Sequence, residues 1–463
     1  MATSITLDRA AGSKFASGFG GDLIGPEDGR YEEARKVYNG MIDRRPGLIA
    51  RCSNDADVVG AVDFARGEGV LVSIRGGGHN AGGLGVCDDG LVIDLSAMRA
   101  IEVDPDRKTV RVQGGATWGE VDAATHGHGL AVPSGIISTT GVGGLTLGGG
   151  LGHLSRKYGL AIDNLLAADM VLADGSKVTA SADENPDLFW AIRGGGGNFG
   201  AVTSFLFHAN PVHTVQAGPT FWPLEATAEA LHFYDEFMAS APEDVNGFFA
   251  FLTVPPVDPF PEELQGRKVC GVVWCCTGDE AETEEALKPV REFGPTLLDG
   301  IAPTPFPGLQ STFDGLYPAG DQWYWKADFI DELPEEAIAA HVEYGAALPS
   351  GQSTMHLYPV DGAVHRVGKD DTAFNYRDSR WSQVIVGVDP DPANAPALTK
   401  WARDYYEAIH PYSAGGAYVN FLMHDEGAGR VQATYGDNYD KLVEVKRRYD
   451  PENLFRVNQN IVP

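Results

Sequence analysis

The stretch Leu71-Val-Ser-Ile-Arg-Gly-Gly-Gly-His-Asn80, continued by Ala81-Gly82-Gly83, decides how the rest of the chain is read. Leu71–Ile74 is an apolar, partly β-branched run of the kind that forms a buried strand. It leads into Arg75 and then into Gly76, Gly77 and Gly78. Lacking Cβ atoms, three successive residues can turn their amide N–H groups toward one point and build an anion-binding concavity, a shape suited to a pyrophosphate. His79 follows directly, a nucleophile placed where a phosphate-anchored ligand would extend. Taken alone, the same letters also describe a tight glycine turn followed by a surface histidine. What comes later in the chain separates the two.

Glycine is abundant, at 58 of 463 residues, and it clusters at Gly76–Gly90, Gly141–Gly152 and Gly194–Gly200. Clustering of this kind fits ligand-cradling loops better than a flexible linker. The length exceeds what one hydrophobic core usually supports and predicts two subdomains. A hydrophobic content of 43% and a charged content of 21% are those of an ordinary globular protein. The net charge of −29 argues against nucleic acid as a partner, because a phosphate backbone selects basic surfaces. Five cysteines make an odd set, not a disulfide framework, and Cys270, Cys275 and Cys276 read as a buried strand rather than a metal site. Met1–Arg9 has no basic segment leading into an apolar one, and no apolar run is long enough to span a membrane. The expectation is a cytoplasmic protein with no membrane partner.

Along the chain, Pro46–Arg51 reads as a strand and Asp55–Gly67 as a helix capped by Asn54. Gly90–Ser96, Ile101–Val103 and Thr109–Gln113 read as strands, and Thr117–His126 as a helix opened by a Thr117/Glu120 capping box. Leu165–Ala173 and Lys177–Ala180 form a predicted hairpin across Asp174-Gly175. Gly195-x-Gly197-x-x-Gly200 has the letters of a dinucleotide fingerprint, but a β-rich run follows it where a helix would be needed. Neither a phosphate-loop lysine motif nor a Gly-x-Ser-x-Gly elbow occurs, so nucleotide and serine hydrolases lack support. Beyond Pro211, strands (Phe248–Thr253, Val269–Cys276, Met355–Pro359, Val384–Val388) alternate with helices (Thr227–Met238, Glu280–Leu287 stopping near Pro289, Pro334–Leu348, Pro396–His410). That pattern predicts an α+β layer of about 200 residues. Aromatics at Trp323-Tyr-Trp325, Phe374–Tyr376 and Trp381 serve either as core or as the wall of a pocket. Near the end, Gly416–Phe421 reads as a strand with Tyr418 and Asn420 exposed. Asn438–Tyr449 reads as a helix, and Glu452–Asn460 as a surface-packing coda.

Several quoted pieces occur together and in order. They are Arg75-Gly-Gly-Gly-His79, Pro133-Ser-Gly135, Gly141-Val-Gly-Gly144 with Gly148-Gly-Gly-x-Gly152, and Arg156-Lys-Tyr-Gly-Leu-x-x-Asp163. Arg193-Gly-Gly-Gly-Gly-Asn-Phe-Gly200, Tyr418-x-Asn420 and Tyr449-Asp-Pro-x-Asn-Leu-Phe-Arg456 complete the set. The ordered set resembles the FAD-linked oxidases of the vanillyl-alcohol oxidase and p-cresol methylhydroxylase superfamily, berberine bridge enzyme-like branch, and spans nearly the whole chain.

The resemblance implies an α+β fold of two subdomains. The FAD-binding part would be residues 1–213, the substrate part 214–414, and a C-terminal segment, 415–463, would return to the FAD part. Cofactor-binding residues carried over are Arg75, Gly76, Gly77, Gly78, His79, Asn80, Gly135, Thr139, Thr140, Gly141, Gly143, Gly144, Gly148, Gly152, His153, Asn420 and the backbone of Val202 near the adenine. His79 stands where the family ties the flavin covalently through its 8α-methyl. Ile137 stands where many members carry a second, cysteinyl tether, so a single histidyl link is expected. Thr140, just before the glycine segment, has the size of the small residue that favours oxygen as acceptor.

Tyr418 corresponds to the tyrosine that takes the substrate hydroxyl proton as hydride goes to flavin N5. A phenol with an ordinary pKa near 10 would need a neighbour to lower it. His356 and Tyr358 are secondary catalytic candidates, and Lys326 either binds an acidic substrate or extends its charge to solvent. The expected reaction is oxidation of an alcohol, sugar or secondary-metabolite C–H or C–OH group with O2 reduced to H2O2. The rivals are a dehydrogenase using another acceptor and a degenerate member that only binds FAD. Substrate identity and oligomeric state are left open.

Overall fold

A computed structural model describes residues 10–463, and the reading of Met1–Arg9 lies outside the described residues. Three sheets organise the chain. The first contains β1 (Asp22–Ile24), β2 (Leu48–Arg51), β3 (Val72–Arg75) and β4 (Leu91–Asp94) in the order β1-β2-β4-β3. β4 runs parallel to both β2 and β3, while β1 runs antiparallel to β2. Parallel strands need a crossover, and helix Asp55–Glu68 supplies the one from β2 to β3. The Asn54 side chain accepts from the Asp57 amide at its start, and Gly69, at φ 66°, ends it. The buried strands have no polar face because both sides are covered, which is why they read as continuous apolar runs.

The second sheet is antiparallel and contains β5 (Ile101–Asp104), β6 (Thr109–Gln113), β7 (Leu165–Val171), β8 (Lys177–Ser181) and β9 (Ala201–His208), in the order β5-β6-β9-β7-β8. The run after Gly200 is therefore a strand, which removes any dinucleotide-type turn. Helix Trp118–His126 opens as expected, with Glu120 accepting from the Thr117 amide at 2.9 Å.

The third sheet is larger and antiparallel. Its strands are β10 (Thr214–Pro223), β11 (Val245–Thr253), β12 (Lys268–Cys276), β13 (Gln322–Ile330), β14 (Thr354–Pro359) and β15 (Trp381–Asp389). They lie in the order β10-β12-β11-β14-β15-β13, with the short strands Leu298–Asp299 and Ala302–Pro305 paired to β10. Side chains alternate across it. Phe249, Phe251, Tyr324 and Ile385 pack outward with helices Thr227–Ser240, Glu335–Ala346 and Ala395–Ile409, whereas Phe248, Trp323 and Val384 face inward to the core shared with the second sheet. The five cysteines are all buried and free, three of them on β12.

Three expectations are corrected. Helix Glu280–Glu292 runs through Pro289 instead of stopping there. Pro289 and Glu285 both face solvent, so water serves the carbonyl that the missing N–H leaves unpaired. Gly416–Phe421 is not a strand. It ends in a 3-10 turn at Val419–Phe421, and Tyr418 is 3% exposed. The turn brings the Tyr418 hydroxyl to the Gly150 amide, a contact with no ladder to supply it. Finally, the C-terminal tail does more than pack on the surface. Lys446, Asp450, Phe455 and Ile461 are buried, and the Lys446 ammonium donates to the Asn198 carbonyl (2.7 Å), the Phe455 carbonyl (3.0 Å) and Asp450 (2.6 Å). A buried ammonium is tolerated only when fully paired, and here every donor has an acceptor.

Candidate active site

β3 ends at Arg75, which the parallel register sets opposite Asp94 on β4. Their side chains meet at 2.9 Å, both nearly inaccessible to solvent. Burial alone would raise the Asp94 carboxyl. The Arg75 charge and hydrogen bond and the Ser96 amide outweigh burial and hold it below the usual carboxylate range. The pair fixes the direction in which the chain leaves the sheet.

Immediately beyond, the backbone at Gly77 passes the backbone at Gly141. A Cβ on Gly77 would lie 2.5 Å from the Gly141 nitrogen, and one on Gly141 would lie 2.4 Å from the Gly77 nitrogen. Neither position admits a side chain, which is the physical reason for glycine in both loops. Gly78 then takes φ 68°, a left-handed turn. Among the described residues, none accepts a hydrogen bond from the amides of Gly77, Gly78, His79 or Asn80. A run of unspent amides beside a cavity is what an anionic ligand group needs.

That cavity is long and draws on all three parts of the chain. Gly76–Asn80, Gly135–Ile137, Thr140–Gly141, Gly143–Leu145, Gly196–Asn198 and Val202 line one portion. Tyr317, Trp323, Trp325, Thr354, His356, Tyr358, Val384 and Val386 line another, and Tyr418–Phe421 with Val457–Gln459 close it. Thr139 stands just behind His79, and Gly148, Gly152 and His153 stand behind the wall. Gly148 abuts the Asn420 amide and Gly152 abuts the Ser134 carbonyl. His153 is buried against Phe248, and burial lowers its pKa to about 3.

His79 is held on two sides. Its ring stacks on Tyr38 with centroids 3.7 Å apart, and its Nε2 lies 3.0 Å from the Thr139 hydroxyl. Removal from bulk water lowers its pKa to about 3, so the imidazole is neutral at physiological pH. The other ring nitrogen, Nδ1, has no hydrogen-bond partner among the described residues and is the one left for other chemistry.

The Tyr418 oxygen accepts from the Gly150 amide and from the Asn420 amide, each at 2.7 Å. Burial raises its pKa, and these donors only partly offset the rise. The sequence reading looked for a lowered value. The protein provides the donors, but in a site dry enough that desolvation dominates. Tyr358 and His356 are joined by a 2.7 Å hydrogen bond between the phenol and Nδ1. Burial lowers His356 to about 3 and, with Tyr317 and Tyr418 nearby, raises Tyr358.

Lys326 takes no part. β13 alternates, so Trp323 and Trp325 face the cavity while Lys326 points away and pairs with Glu426 at 2.8 Å. Both earlier options for this lysine fail, since its charge is neither free for a substrate nor out in solvent. Residues missed by sequence reasoning are Tyr38, Tyr317, Asn198 and the tail residues Val457–Gln459. Only Asn198 carried a signal, through its place in the third glycine cluster.

The glycine cradle, the unspent amides and the neutral His79 ring fit a flavin dinucleotide. Comparisons with known proteins agree. The FAD binding domain family matches residues 46–181, and the berberine and berberine-like family matches residues 417–462. An FAD-linked oxidoreductase of Dictyostelium discoideum is 32% identical over 434 residues, 93% of this chain and 92% of that protein. The (R)-6-hydroxynicotine oxidase of Paenarthrobacter nicotinovorans is 31% identical over 459 residues, 96% of this chain and 97% of that protein. Among solved structures, 6-hydroxy-D-nicotine oxidase from Arthrobacter nicotinovorans superposes with a TM-score of 0.85 at 28% identity, covering 96% of this chain and 98% of that one. A chitooligosaccharide oxidase superposes with a TM-score of 0.83 at 25% identity, covering 98% of this chain and 100% of that one. Among the described residues no helix is long and apolar enough to cross a membrane. The chain belongs to the berberine bridge enzyme-like family and is an FAD-linked oxidoreductase.

Proposed function

We propose that this protein is an oxidase carrying FAD on a single covalent link to His79. It would oxidise a small molecule at a C–OH or C–H group and return the electrons to O2 as H2O2. Relatives named as oxidases of hydroxynicotine and of chitooligosaccharide support the reaction type. The observation that carries the reading is the pairing of two features in one cavity. One is a neutral histidine with a free Nδ1, and the other is a phenol oxygen gripped by two N–H donors.

When bound, FAD supplies the hydride acceptor and the 8α-methyl carbon to which His79 would be joined. The protein's own groups do the rest. Tyr38 and Thr139 hold the imidazole in one plane. Amides of Gly77–Asn80 receive the anionic part of the cofactor. Tyr418 takes the substrate hydroxyl proton, and the Gly150 and Asn420 donors stabilise the charge that develops on its oxygen. Tyr358, fixed at the cavity wall by its hydrogen bond with His356, would orient the substrate hydroxyl. Residues 1–213 and 415–463 would form the cofactor unit and 214–414 the substrate unit, in a cytoplasmic protein.

Acid precipitation of the purified protein tests the link. Yellow colour should stay with the pellet, and His79→Ala should release it to the supernatant. Flavin that leaves the wild-type pellet overturns the tether. Stopped-flow reoxidation by O2 tests the acceptor, and a very slow rate would move the protein to the dehydrogenases.

A further inference from the structure

Two parts of the molecule meet at Tyr38. Its amide donates to the Gly78 carbonyl at 3.0 Å, one residue before His79, and its carbonyl accepts from the Gly320 amide at 2.9 Å. Its hydroxyl donates to the Tyr317 carbonyl. On the next residue, the Asn39 side-chain nitrogen donates to the Ala81 carbonyl at 2.7 Å and to the Trp323 carbonyl at 2.9 Å. The Asn39 side-chain oxygen accepts from the Trp323 amide at 3.1 Å. The Gly40 amide donates to the Asp321 carbonyl at 2.7 Å, and a Cβ on Gly40 would lie 2.0 Å from the Gly320 oxygen. Residues 38–40 are therefore stitched on one side to the cofactor loop and on the other to the segment that enters β13.

A tyrosine held this way has one group left to use. A carbonyl only accepts, so the phenol proton is spent on Tyr317. Burial pushes the phenol up, and Asp321, Tyr317 and Asp314 add to the rise, so the hydroxyl is no base. What Tyr38 presents to His79 is the face of its ring, with centroids 3.7 Å apart and planes 23° from parallel.

Attachment changes the charge of that histidine. When a neutral imidazole nitrogen forms a bond to carbon, the ring is cationic until it gives up its N–H proton. The site resists that charge, because burial lowers the His79 pKa to about 3. No carboxylate lines the cavity to receive it, and Arg75, the one charged side chain in the lining, is committed to Asp94. Among the described residues the Tyr38 ring is the one aromatic face stacked on His79. A π face attracts a cation most strongly where water is excluded.

From the stack, the stitching and the missing carboxylate, we infer that Tyr38 is the positioning residue for cofactor attachment. Its ring face sets the plane of the imidazole and stabilises the positive charge that forms as His79 is joined to the flavin. The inference rests on the proposed tether at His79. In the joining step an 8α C–H bond and an imidazole N–H bond break, and an N–C bond forms. The C–H electron pair and the two protons pass to the flavin ring, and O2 then takes up two electrons and two protons as H2O2. Because Tyr317 and Gly320 hold Tyr38, the ring is in place only once the third-sheet part has docked, so attachment follows docking.

The test uses the full chain, purified from riboflavin-starved cells so that sites remain free, and then held with excess FAD in air. Absorbance after desalting reads total bound flavin, and fluorescence in a denaturing gel reads attached flavin over time. Tyr38→Phe and Tyr38→Leu both lose the hydroxyl, and only the first keeps the ring. Tyr38→Leu should attach flavin about tenfold more slowly than Tyr38→Phe at equal total bound flavin. Pentafluorophenylalanine in place of Tyr38 keeps the shape of phenylalanine without the negative ring face. It should attach as slowly as Tyr38→Leu, which keeps the inference testable if the leucine variant fails to fold. Equal attachment rates for Tyr38→Phe and the fluorinated variant overturn the inference. So does a loss of attached flavin that only follows a loss of total bound flavin, since a merely structural role predicts that. Flavin that leaves the acid-treated wild type overturns the tether and this role together, whereas a wild type that keeps it beside equally fast ring variants overturns the role alone.

Discussion

The two walls of the cavity are built in different ways. The cofactor wall is made of backbone: glycines pass so close that Gly77 and Gly141 exclude any side chain from each other, and the ligand-facing groups are amides. The substrate wall is made of side chains, aimed by the alternation of β13, β14 and β15 and by the pairing of strands far apart in sequence. Backbone recognition suits a constant ligand, because an amide offers the same hydrogen bond whatever surrounds it. Side-chain recognition can be changed one residue at a time while the sheet stays intact.

The largest expected effect lies at the seam between the walls. Tyr418→Phe should lower turnover by about a hundred- to ten-thousand-fold while flavin content and absorbance stay unchanged. Because burial places the phenol above its ordinary pKa, wild-type turnover should climb with pH through the alkaline range, and the variant should lose that climb. Loss of flavin from the variant would instead make Tyr418 part of the cofactor wall.

Next is the anchor of the cofactor wall. Asp94→Asn leaves the buried Arg75 charge unpaired and should cost about 3–5 kcal/mol in urea unfolding. Asp94 has a depressed pKa in the folded protein, so its contribution is present above the unfolded value near 4 and is lost as pH falls through the folded one. The wild type should therefore lose this increment on acidification, and the variant should show no such loss.

A third pair separates packing from ligand contact. Gly77→Ala drives a methyl into backbone and should cost about 1–3 kcal/mol of stability as well as flavin. At Gly144, which lines the cavity, a Cβ meets nothing within 4 Å. Gly144→Ala should leave thermal stability intact or slightly higher and lower only the flavin-to-protein ratio. Equal behaviour of the two would erase the distinction between a glycine kept for the fold and one kept for the ligand.

A last effect, confined to a pH window, is expected behind the cofactor wall. Asp122 is buried in helix Trp118–His126, and burial lifts its carboxyl to about 8. Nearby, the Gln310 amide donates to the Ser134 hydroxyl at 2.7 Å, next to cavity-lining Gly135. Its folded pKa exceeds the unfolded value near 4, so the folded state binds the extra proton. Stability should fall as pH rises from about 4 to about 8 and level off beyond. Asp122→Asn should flatten that slope, so its advantage over the wild type should grow as the pH rises toward 8.

The same contrast explains what could be read from the letters. Clustered glycines, the Arg75–His79 turn and the Asn54 and Thr117 caps are local, and local patterns survive in one sequence. Tyr38 and Tyr317 enter the cavity only because distant segments pack beside His79 and Trp323, and no short-range pattern marks them. Tyr418-x-Asn420 was recognisable as a motif, yet its strand assignment failed because the shape is set by a partner 268 residues away, the Gly150 amide. Lys326 was misjudged for a related reason: its partners Glu426 and Asp425 lie on the returning C-terminal segment.

The burial of the tail sets an order of events during biosynthesis. The loop at Asn198 is tied to Lys446, and Gln459 and Tyr418 complete a chamber whose first residues leave the ribosome hundreds of codons earlier. A nascent chain therefore has no enclosed place for a prosthetic group until helix Tyr439–Tyr449 and the residues through Gln459 have emerged and docked. Loading must follow the docking of those residues, and a ribosome-stalled chain lacking them would remain colourless.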